Sequence, residues 1–480
     1  MSTDWTGLLP LLILAGGGTA TFLAGAFWRR RPAGVLFALA LVTAGAAAAA
    51  TLMLPSLGPG LEGLLDLGGY FRFFTSLLMF ITIITLLFVR RYSVTHGFAG
   101  DELYACLIFA ALGMVLVVAG ANWVIFFLGL ELMSLALYIL IAIRKGEPYG
   151  NEAGLKYFIM GAVASAFLTF GLGFLYAMTG TFEITGSLAA AGTYPGRLPV
   201  ILLSLALIFT GIGFKISIVP FHLWTPDVYQ GSPAPITAFL SAGSKVALFA
   251  ALVRFSLAMS PLVWDYVWPV LWTLALLTMA VGNLTALYQT RVKRLLAYSS
   301  IAQMGYLLMT LLAVKDEGVP ALMFYLTAYA VMDLGAFGII GTFSGGAADR
   351  EELSDYQGLG FSHPWRAAIL SVCLLSLAGL PPTAGFMGKL ALFRAVLQAN
   401  FTVLAVLGLV TAIISIYYYM NVVIHLYMQE TGDGAAVPGA GLGIGLAGMV
   451  ILAAILWLGL MPEPLLRVIS SVVAALPKPG

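Results

Sequence analysis

Residues 213–255, GFKISIVPFHLWTPDVYQGSPAPITAFLSAGSKVALFAALVRF, indicate the fold class because they place two lysines deep inside apolar sequence. Lys215 and Lys245 have long apolar runs on both sides, and Pro220 interrupts the first run five residues after Lys215. A charge at the centre of a membrane-spanning helix costs about 2.5–3.5 kcal/mol on insertion scales. Non-helical backbone at membrane depth survives only where it is buried in protein or lines a wet cavity. The stretch therefore predicts two spanning segments, one of them broken, beside a polar path inside the protein.

The rest of the chain is also apolar. It is 61% hydrophobic and 9% charged, whereas an average soluble domain is about 25% charged. Apolar stretches long enough to cross a bilayer are centred near residues 18, 43, 81, 111, 132, 167, 208, 247, 275, 306, 331, 379, 414 and 450. They predict an all-α polytopic membrane protein with about fourteen transmembrane helices. The formal net charge of +2 is too small to indicate a nucleic-acid surface.

A second break resembles the first. Pro381 and Pro382 precede Lys389 in LAGLPPTAGFMGKLALF. The breaks fall in spans seven and twelve, the fourth members of two successive five-span blocks, and such a correspondence indicates inverted-topology repeats. The sequence thus predicts an N-terminal three-helix segment, a first five-helix repeat, a second inverted five-helix repeat, and a last helix with its tail, over residues 1–100, 101–260, 261–430 and 431–480.

Basic residues in the loops predict the orientation, because loops on the inner side of a membrane carry the excess of Lys and Arg. With the N-terminus outside, the residues on the inner side are Arg29, Arg30, Arg31, Arg90, Arg91, Arg144, Lys145, Lys156, Arg291, Lys293, Arg294, Arg350 and Arg366. Those in outer loops or the tail are Arg72, Arg197, Lys315, Arg467 and Lys478. Both termini are therefore expected on the outer side.

Glu131, in VIFFLGLELMSLALYIL, is the first acidic candidate. It lies eight residues after Trp123 and thirteen before Arg144, which is about 12 and 20 Å along a helix. Its carboxylate cannot easily reach either surface, so it needs a partner or water. Two interpretations stay open: a single structural hydrogen bond to a neighbouring helix, and a carboxylate in a proton path.

Three lysines, Lys215, Lys245 and Lys389, lie between apolar turns. They can form structural ion pairs, but two lysines and Glu131 in the first repeat do not balance. Desolvation disfavours a charged amine while a nearby carboxylate favours it. Such an amine can load and release a proton, so we predict that the three lysines relay protons.

His222 and Asp333 are further titratable candidates. His222, in PFHLWTPD, can bridge Lys215 to Lys245, since imidazole titrates in the physiological range; it can equally be a satisfied histidine at a helix end. Asp333, in YAVMDLGAFGII, is predicted to be the counter-charge of Lys389, with packing against a helix terminus as the alternative.

A polar stripe at helical spacing occurs in LLAYSSIAQMGYLL. Such side chains can hold ordered water or simply join helices by hydrogen bonds, and both interpretations stay open. The stripe consists of Ser299, Ser300, Gln303 and Tyr306.

Cofactor motifs are not found in the sequence. Cys106 and Cys373 are far apart in apolar segments, which leaves no ligand set for an iron–sulfur cluster, haem or structural zinc. The glycines at 16–18 lie inside a predicted span and form no phosphate loop. The chain is therefore expected to hold no cofactor and to perform no redox chemistry by itself.

Three stretches resemble the antiporter-like membrane subunits of respiratory complex I, the bacterial NADH-quinone oxidoreductase. They are residues 213–255, RVKRLLAYSSIAQMGYLLM and LSLAGLPPTAGFMGKLALF, and the resemblance extends over essentially the whole chain. It implies that Glu131 is the fifth-helix glutamate, Lys215 its seventh-helix partner, Lys245 the eighth-helix bridging lysine and Lys389 the lysine of a second half-channel. It also implies fourteen helices in two inverted five-helix repeats.

The same resemblance implies a place in an enzyme complex of the bacterial inner membrane. Other membrane subunits, lipid and protons are the expected partners, and nucleic acid is not. NADH, FMN, iron–sulfur clusters and quinone are expected in partner subunits. The leading hypothesis is a proton-translocating subunit driven by redox chemistry in those partners. A subunit of a multi-protein cation/proton antiporter and a structural scaffold with buried ion pairs are the alternatives.

Overall fold

The computed structural model describes residues 5–28, 32, 34–53, 59–60, 63–98, 100, 102–193, 195–315, 317–344, 349–428 and 441–476. Helices dominate these ranges. They are α1 (Leu9–Phe27), α2 (Val35–Met53), α3 (Gly69–Thr95), α4 (Glu102–Ala119), α5 (Trp123–Ile141), α6 (Pro148–Thr179), α7 (Ile184–Ala190), α8 (Leu198–Ile216), α9 (Thr225–Gly231), α10 (Ala234–Phe239), α11 (Lys245–Ala258), α12 (Pro261–Ala286), α13 (Val292–Thr310), α14 (Gly318–Ile340), α15 (Leu359–Ser362), α16 (Pro364–Ala378), α17 (Ala384–Gln398), α18 (Thr402–Met428), α19 (Leu442–Leu460) and α20 (Glu463–Val473). Two short strands, β1 (Pro59–Gly60) and β2 (Leu65–Asp66), pair antiparallel.

The predicted membrane architecture is confirmed. Within the described ranges, thirteen helical segments are long and apolar enough to cross a membrane. The remaining predicted span is divided into α16 and α17, each of 15 residues, on either side of residues 379–383. Together they supply the fourteenth crossing, broken where the paired prolines predicted it.

Both predicted breaks are present and their free backbone groups find partners. Span seven breaks after α8, where Ser217 adopts a positive φ of 64° and the Val219 amide donates to the Thr278 hydroxyl at 3.1 Å. Span twelve breaks at Gly379, whose φ of 89° favours glycine. Beyond it, the Gly385 amide donates to the Ser376 hydroxyl at 3.0 Å. Within the breaks, Ser217 and Thr383 are buried, whereas Pro220, Pro381 and Pro382 are exposed on the surface of this chain.

The first two helices of each five-span block pack as a close hairpin. In α4–α5, a Cβ added at Gly113 would lie 2.4 Å from the Met133 amide nitrogen, inside contact distance. In α12–α13, a Cβ at Gly282 would lie 2.6 Å from the Ala302 amide nitrogen. Small residues let membrane helices approach backbone to backbone. The two repeats therefore both begin with a helix pair that packs closely at a glycine.

Span eight contains an irregularity that the sequence analysis did not predict. Residues Leu240–Ser244 form a π-helical turn between α10 and α11, directly before Lys245. Such turns commonly mark functional sites because they re-aim the side chains around them. Here the turn places Ser241 and Lys245 on one buried face of the span.

Asp349, in the loop after α14, forms hydrogen bonds and ion pairs with residues at the C-terminal end of α3 and the N-terminal end of α13. Its carboxylate accepts from the Tyr92 hydroxyl at 2.7 Å and from Lys293 at 3.1 Å, and it pairs with His96 at 3.3 Å and Arg144 at 3.9 Å. Burial alone would raise the pKa of Asp349, but Lys293, His96 and Tyr92 outweigh it and hold that pKa well below its usual range. The ionised carboxylate thus joins α3, α13 and the α5–α6 loop.

Contacts between loops show that every second loop lies at the same end of the helix bundle. β-bridges pair Leu65 with Gly120 and Asn122 with Glu183 at one end, and Arg291 with Glu352 at the other. Four basic residues used to predict orientation lie outside the described residues: Arg29, Arg30, Arg31 and Lys478. A short amphipathic helix, α20, was not predicted; it packs against α3 and α14.

Candidate functional site

Lys215 lies in the last turn of α8, with its amine enclosed by α5 and α6. Its Nζ donates to the Ser134 hydroxyl at 2.7 Å and to the Tyr138 hydroxyl at 3.1 Å. The ring centroids of Tyr138, Tyr157 and Phe214 lie 5.2, 5.4 and 5.6 Å from the same nitrogen. Aromatic faces stabilise a desolvated cation. The amine is therefore held by hydroxyl groups and π-systems.

Glu131 does not contact Lys215, contrary to the pairing that the resemblance implied. The carboxylate is half-buried and accepts a 2.5 Å hydrogen bond from Ser165 of α6. Glu131 and Ser134 are three residues apart on α5, so their side chains leave the helix about 60° apart. The serine faces α8 while the glutamate faces α6. Glu131 therefore acts on Lys215 through space.

His222 lies in the span-seven break, as predicted, and its Nδ1 atom is buried without a hydrogen-bond partner among the described residues. No hydrogen bond joins it directly to Lys215 or Lys245 within those residues, so the predicted bridge is not a direct one. Three further buried hydroxyl groups of this segment have no described partner either: Ser217, Thr225 and Tyr229. Buried polar atoms of this kind are ordinarily satisfied by ordered water.

Lys245 is fully buried in a cluster of hydroxyl groups. Its Nζ donates to the Ser300 hydroxyl, and Ser300 shares a 2.7 Å hydrogen bond with the Tyr329 hydroxyl. The same nitrogen is 5.3 Å from the centroid of the Tyr229 ring. All four side chains are fully buried. The amine therefore contacts groups that can both donate and accept a proton.

Asp333 belongs to this cluster, and its predicted role as counter-charge of Lys389 is wrong. α14 presents Asp333 to the π turn of span eight, where Ser241 donates to the carboxylate. Lys389 instead donates to the Leu377 and Ala378 carbonyl oxygens. The sequence places Asp333 at mid-span, but it does not say which lysine that face of α14 meets.

Lys389 caps the broken end of α16 from the other side of the break. Its Nζ donates to the Leu377 carbonyl at 2.7 Å and to the Ala378 carbonyl at 3.1 Å. These are carbonyls of the last helical turn, which carry partial negative charge. The nitrogen also lies 5.4 Å from the centroid of the Tyr306 ring. The break therefore supplies the acceptors that hold the amine.

Gln303 connects Lys389 to the polar stripe on α13. Its Nε2 donates to the Leu377 carbonyl, the same oxygen that accepts from Lys389, at 3.3 Å. It also donates to the Tyr419 hydroxyl at 3.2 Å, which in turn pairs with the Ser299 hydroxyl. Tyr325 donates to the Gln303 side-chain oxygen. The hydrogen bonds around Lys389 thus extend to Ser299, and those of Lys245 extend to the next residue in the chain, Ser300.

Tyr306 carries a side branch of the stripe. Its hydroxyl pairs with the Thr411 hydroxyl at 3.1 Å and accepts from the Asn283 amide at 3.0 Å. Tyr418 donates to the Asn283 side-chain oxygen at 3.0 Å. All members are buried and satisfied, so this branch joins α12, α13 and α18. The stripe therefore makes direct hydrogen bonds between helices; its predicted role in holding ordered water stays a prediction.

Sequence reasoning missed most of the neutral groups of this site. They are Ser134, Tyr138, Ser165, Tyr229, Ser241, Asn283, Tyr325, Tyr329, Tyr418 and Tyr419. Tyrosine and serine are common at membrane-helix surfaces and interfaces, so identity alone does not distinguish them. Their spacing from the predicted residues was one available signal. Ser134 is three residues after Glu131 and Gln303 is three residues after Ser300, so each pair lies on nearly the same face of its helix.

The site has the features of a proton relay. Three amines lie among hydroxyl, amide and carbonyl groups that span from α5 to α18. Hydroxyl groups donate and accept at once, whereas a carbonyl only accepts. No cluster of three or more metal-ligating side chains occurs in the part of the chain that the structure describes. The buried amines and the hydroxyl groups beside them can pass protons to one another.

A family model described as NADH:quinone oxidoreductase/Mrp antiporter, TM matches residues 120–415. NADH-quinone oxidoreductase subunit N 1 of Solidesulfovibrio magneticus is 49% identical over 401 residues, 83% of this chain and 86% of that protein. NADH-quinone oxidoreductase subunit N of Geobacter metallireducens is 42% identical over 476 residues, 98% of this chain and 99% of that protein.

A solved structure extends the similarity to three dimensions. A chain of respiratory complex I from Thermus thermophilus with bound aureothin matches with a TM-score of 0.81 at 35% identity, over 95% of this chain and 98% of that chain. Its fold is the one that the fourteen spans and two breaks describe. The chain therefore belongs to the subunit N family of NADH-quinone oxidoreductases, the antiporter-like membrane proteins of respiratory complex I.

Proposed function

We propose that the chain moves protons across the membrane as a subunit of NADH-quinone oxidoreductase, through its three buried lysines. One observation carries the proposal. Lys215, Lys245 and Lys389 are 1%, 0% and 6% exposed, and each donates to a hydroxyl or carbonyl group. Burial disfavours the charged form of an amine, so an amine held in this way can both release and regain a proton.

The proton path that we propose begins at Lys215, passes Lys245 and ends at Lys389. Between the first two lysines, the unpartnered buried groups of the span-seven break support a short chain of ordered water past His222. Between the last two, the side-chain hydrogen bonds of Ser300, Ser299 and Gln303 cover part of the distance. Ordered water completes this part of the proposed path, because the Leu377 carbonyl that accepts from both Gln303 and Lys389 cannot pass on a proton. The half-buried Glu131 is placed at the start of the path, where it tunes the charge of Lys215.

Lys389 supports an exit on the outer side. It lies on α17, which continues from the break to Gln398, and the broken backbone offers carbonyl groups beside it. We propose an orientation with both termini on the outer, periplasmic face of the bacterial inner membrane, since the basic loops then lie inside. Residues 101–260 and 261–430 act as two inverted halves of the path, flanked by the segments 1–100 and 431–480.

Proton movement through this chain needs energy from partner subunits. We propose that it assembles with other membrane subunits in the lipid bilayer, while NADH, FMN, iron–sulfur clusters and quinone belong to partner subunits. No step of the proposed proton path in this chain involves those groups. The family name supports this division, because the oxidoreductase activity belongs to the whole complex.

The proposal is tested by replacing the central lysine in the assembled complex. In Lys245→Met we expect NADH-driven proton uptake into inverted membrane vesicles to fall by about two orders of magnitude, the lower end of what a positioned proton-transfer group contributes. Lys145→Met is the matched control, because Lys145 is a surface residue with 83% side-chain exposure. Parent-level uptake in Lys245→Met, at equal complex content, would refute the relay.

A further inference from the structure

Asp333 is a buried carboxylate without an obvious charged partner in direct contact. It is 2% exposed in the middle of α14 and accepts from Ser241. Among the described residues, no lysine, arginine or histidine pairs with it directly. An isolated charge in such surroundings is strongly unfavourable. A compensating charge or a bound proton is therefore required at this position.

The surrounding geometry identifies Lys245 as that compensating group. Ser241 and Lys245 are four residues apart on span eight, and Tyr329 and Asp333 are four residues apart on α14. Side chains four apart on a helix are neighbours on one face. Ser241 contacts Asp333, and Lys245 reaches Tyr329 through Ser300. The two faces thus pack against each other, with Lys245 and Asp333 close enough to interact electrostatically.

The hydrogen bonds of Ser241 allow two states of the carboxylate. The hydroxyl has one proton and two acceptors within reach, the Asp333 carboxylate and the Ala238 carbonyl at 3.3 Å. When Asp333 is ionised, Ser241 donates to it. When Asp333 is protonated, its O–H can donate to the Ser241 oxygen while Ser241 donates to Ala238. Each state leaves the buried groups satisfied, so the turn accepts a proton without breaking a hydrogen bond.

A comparison of the two repeats explains why a carboxylate is needed here. Glu131 is the eighth residue after the start of α5, and Ser300 is the eighth after the start of α13. The three-residue step to Ser134, which holds Lys215, matches the step to Gln303, which is linked to Lys389. The second repeat therefore has a serine where the first has its glutamate. Asp333, on the next helix, supplies a carboxylate one helical turn from Tyr329, which pairs with that serine.

We propose that Asp333 is a proton-holding residue of the relay that exchanges a proton with Lys245 through Ser300 and Tyr329. In this step a proton leaves the Lys245 ammonium for the Ser300 oxygen, and the hydroxyl proton of Ser300 passes to Tyr329. Tyr329 lies four residues before Asp333 on the same face of α14, and its hydroxyl then turns to pass its own proton to the Asp333 carboxylate. The amine and the acid end neutral, and both hydroxyl groups are regenerated. The inference rests on the proposed function, since it assigns a second acid to the same path.

The test combines proton uptake with a double-mutant cycle in the assembled complex. Asp333→Asn keeps an oxygen that accepts from Ser241 but cannot hold a proton. We expect its NADH-driven proton uptake to fall about tenfold or more, because one adjacent opposite charge changes proton affinity by at least that factor. Asp265→Asn, at an exposed carboxylate on α12, is the matched control and is expected to pump like the parent.

The thermal midpoint of the purified complex gives an independent readout. Lys245→Met and Asp333→Asn should each lower the thermal midpoint, because each leaves one buried polar group without its partner. In the double variant the midpoint should fall by less than the sum of the two single effects. If Asp333→Asn fails to assemble, the double variant is expected to recover assembly, and this recovery would likewise show that Lys245 and Asp333 interact. Additive effects, or control-like uptake by Asp333→Asn, would overturn this inference while leaving the proposed function intact. Full uptake by Lys245→Met would instead refute the proposed function.

Discussion

Replacing Lys215 by methionine is expected to stop proton uptake while the complex still assembles. Methionine fills a similar volume among Tyr138, Tyr157 and Phe214 and removes the cost of a buried charge. Ser134 keeps its own hydrogen bond to the Leu130 carbonyl at 2.6 Å, and only the Tyr138 hydroxyl loses the lysine as a donor. We expect the initial rate of NADH-driven proton uptake to fall by about two orders of magnitude, measured in vesicles at equal complex content.

Lys215→Arg separates charge from proton transfer at the same position. Arginine stays protonated in proteins, so it preserves the positive charge beside Tyr138 but cannot give up a proton. We expect the arginine variant to recover little of the lost uptake. Pumping at the parent rate would mean that the charge alone matters, and Lys215 would then have no relay role.

Lys389→Met is expected to block the release of protons to the outer side. The amine contacts the Leu377 and Ala378 carbonyl oxygens at the break of span twelve, and methionine offers no donor to either. Both carbonyls sit at a helix end, where such groups can bond to water instead, so the fold should persist. We expect proton uptake to fall by about two orders of magnitude, with NADH oxidation followed in the same vesicles.

A carboxylic acid at this position should restore part of the activity. In Lys389→Glu, the protonated side chain can donate to the Leu377 carbonyl, whereas the ionised one cannot, so the group can still load and release a proton. We expect uptake between that of Lys389→Met and that of the parent. A glutamate variant as inactive as the methionine variant would limit the position to an amine.

The fold could be predicted almost completely from the sequence, because its determinants are local. Apolar length fixes a span, and Pro220, Pro381 and Pro382 fix the two breaks regardless of what packs around them. The π turn before Lys245 could not be predicted in this way. No proline or charge marks residues 240–244, and the irregularity depends on how span eight packs against α14.

The positions of the charged residues were predictable, but their partners were not. Mid-span charges stand out in apolar sequence, so Glu131, Lys215, Lys245 and Lys389 could be named before the structure was known. Their partners depend on helix rotation, which the sequence does not encode locally. A difference of about 60° on α5 separates Ser134 from Glu131, and it decides which of them holds Lys215.

The partner of Asp333 could not be predicted from the sequence either. It is one of two mid-span carboxylates, and charge balance alone assigned it to Lys389. In the structure it faces Ser241, and Lys389 is held by backbone carbonyls that only a broken helix exposes. Those carbonyls belong to no side chain, so charge counting could not include them.

The most direct test of the account interrupts the path without altering any charge. Gln303 donates to the Leu377 carbonyl beside Lys389 and to Tyr419, which pairs with Ser299, and Gln303→Leu removes both hydrogen bonds at similar size. The measurement is the number of protons taken up per NADH oxidised, with Gln398→Leu, at an exposed end of α17, as control. The account predicts a lower ratio for Gln303→Leu and a parent-like ratio for the control. A parent-like ratio for Gln303→Leu would show that protons do not pass from Lys245 to Lys389 by way of the groups around Gln303.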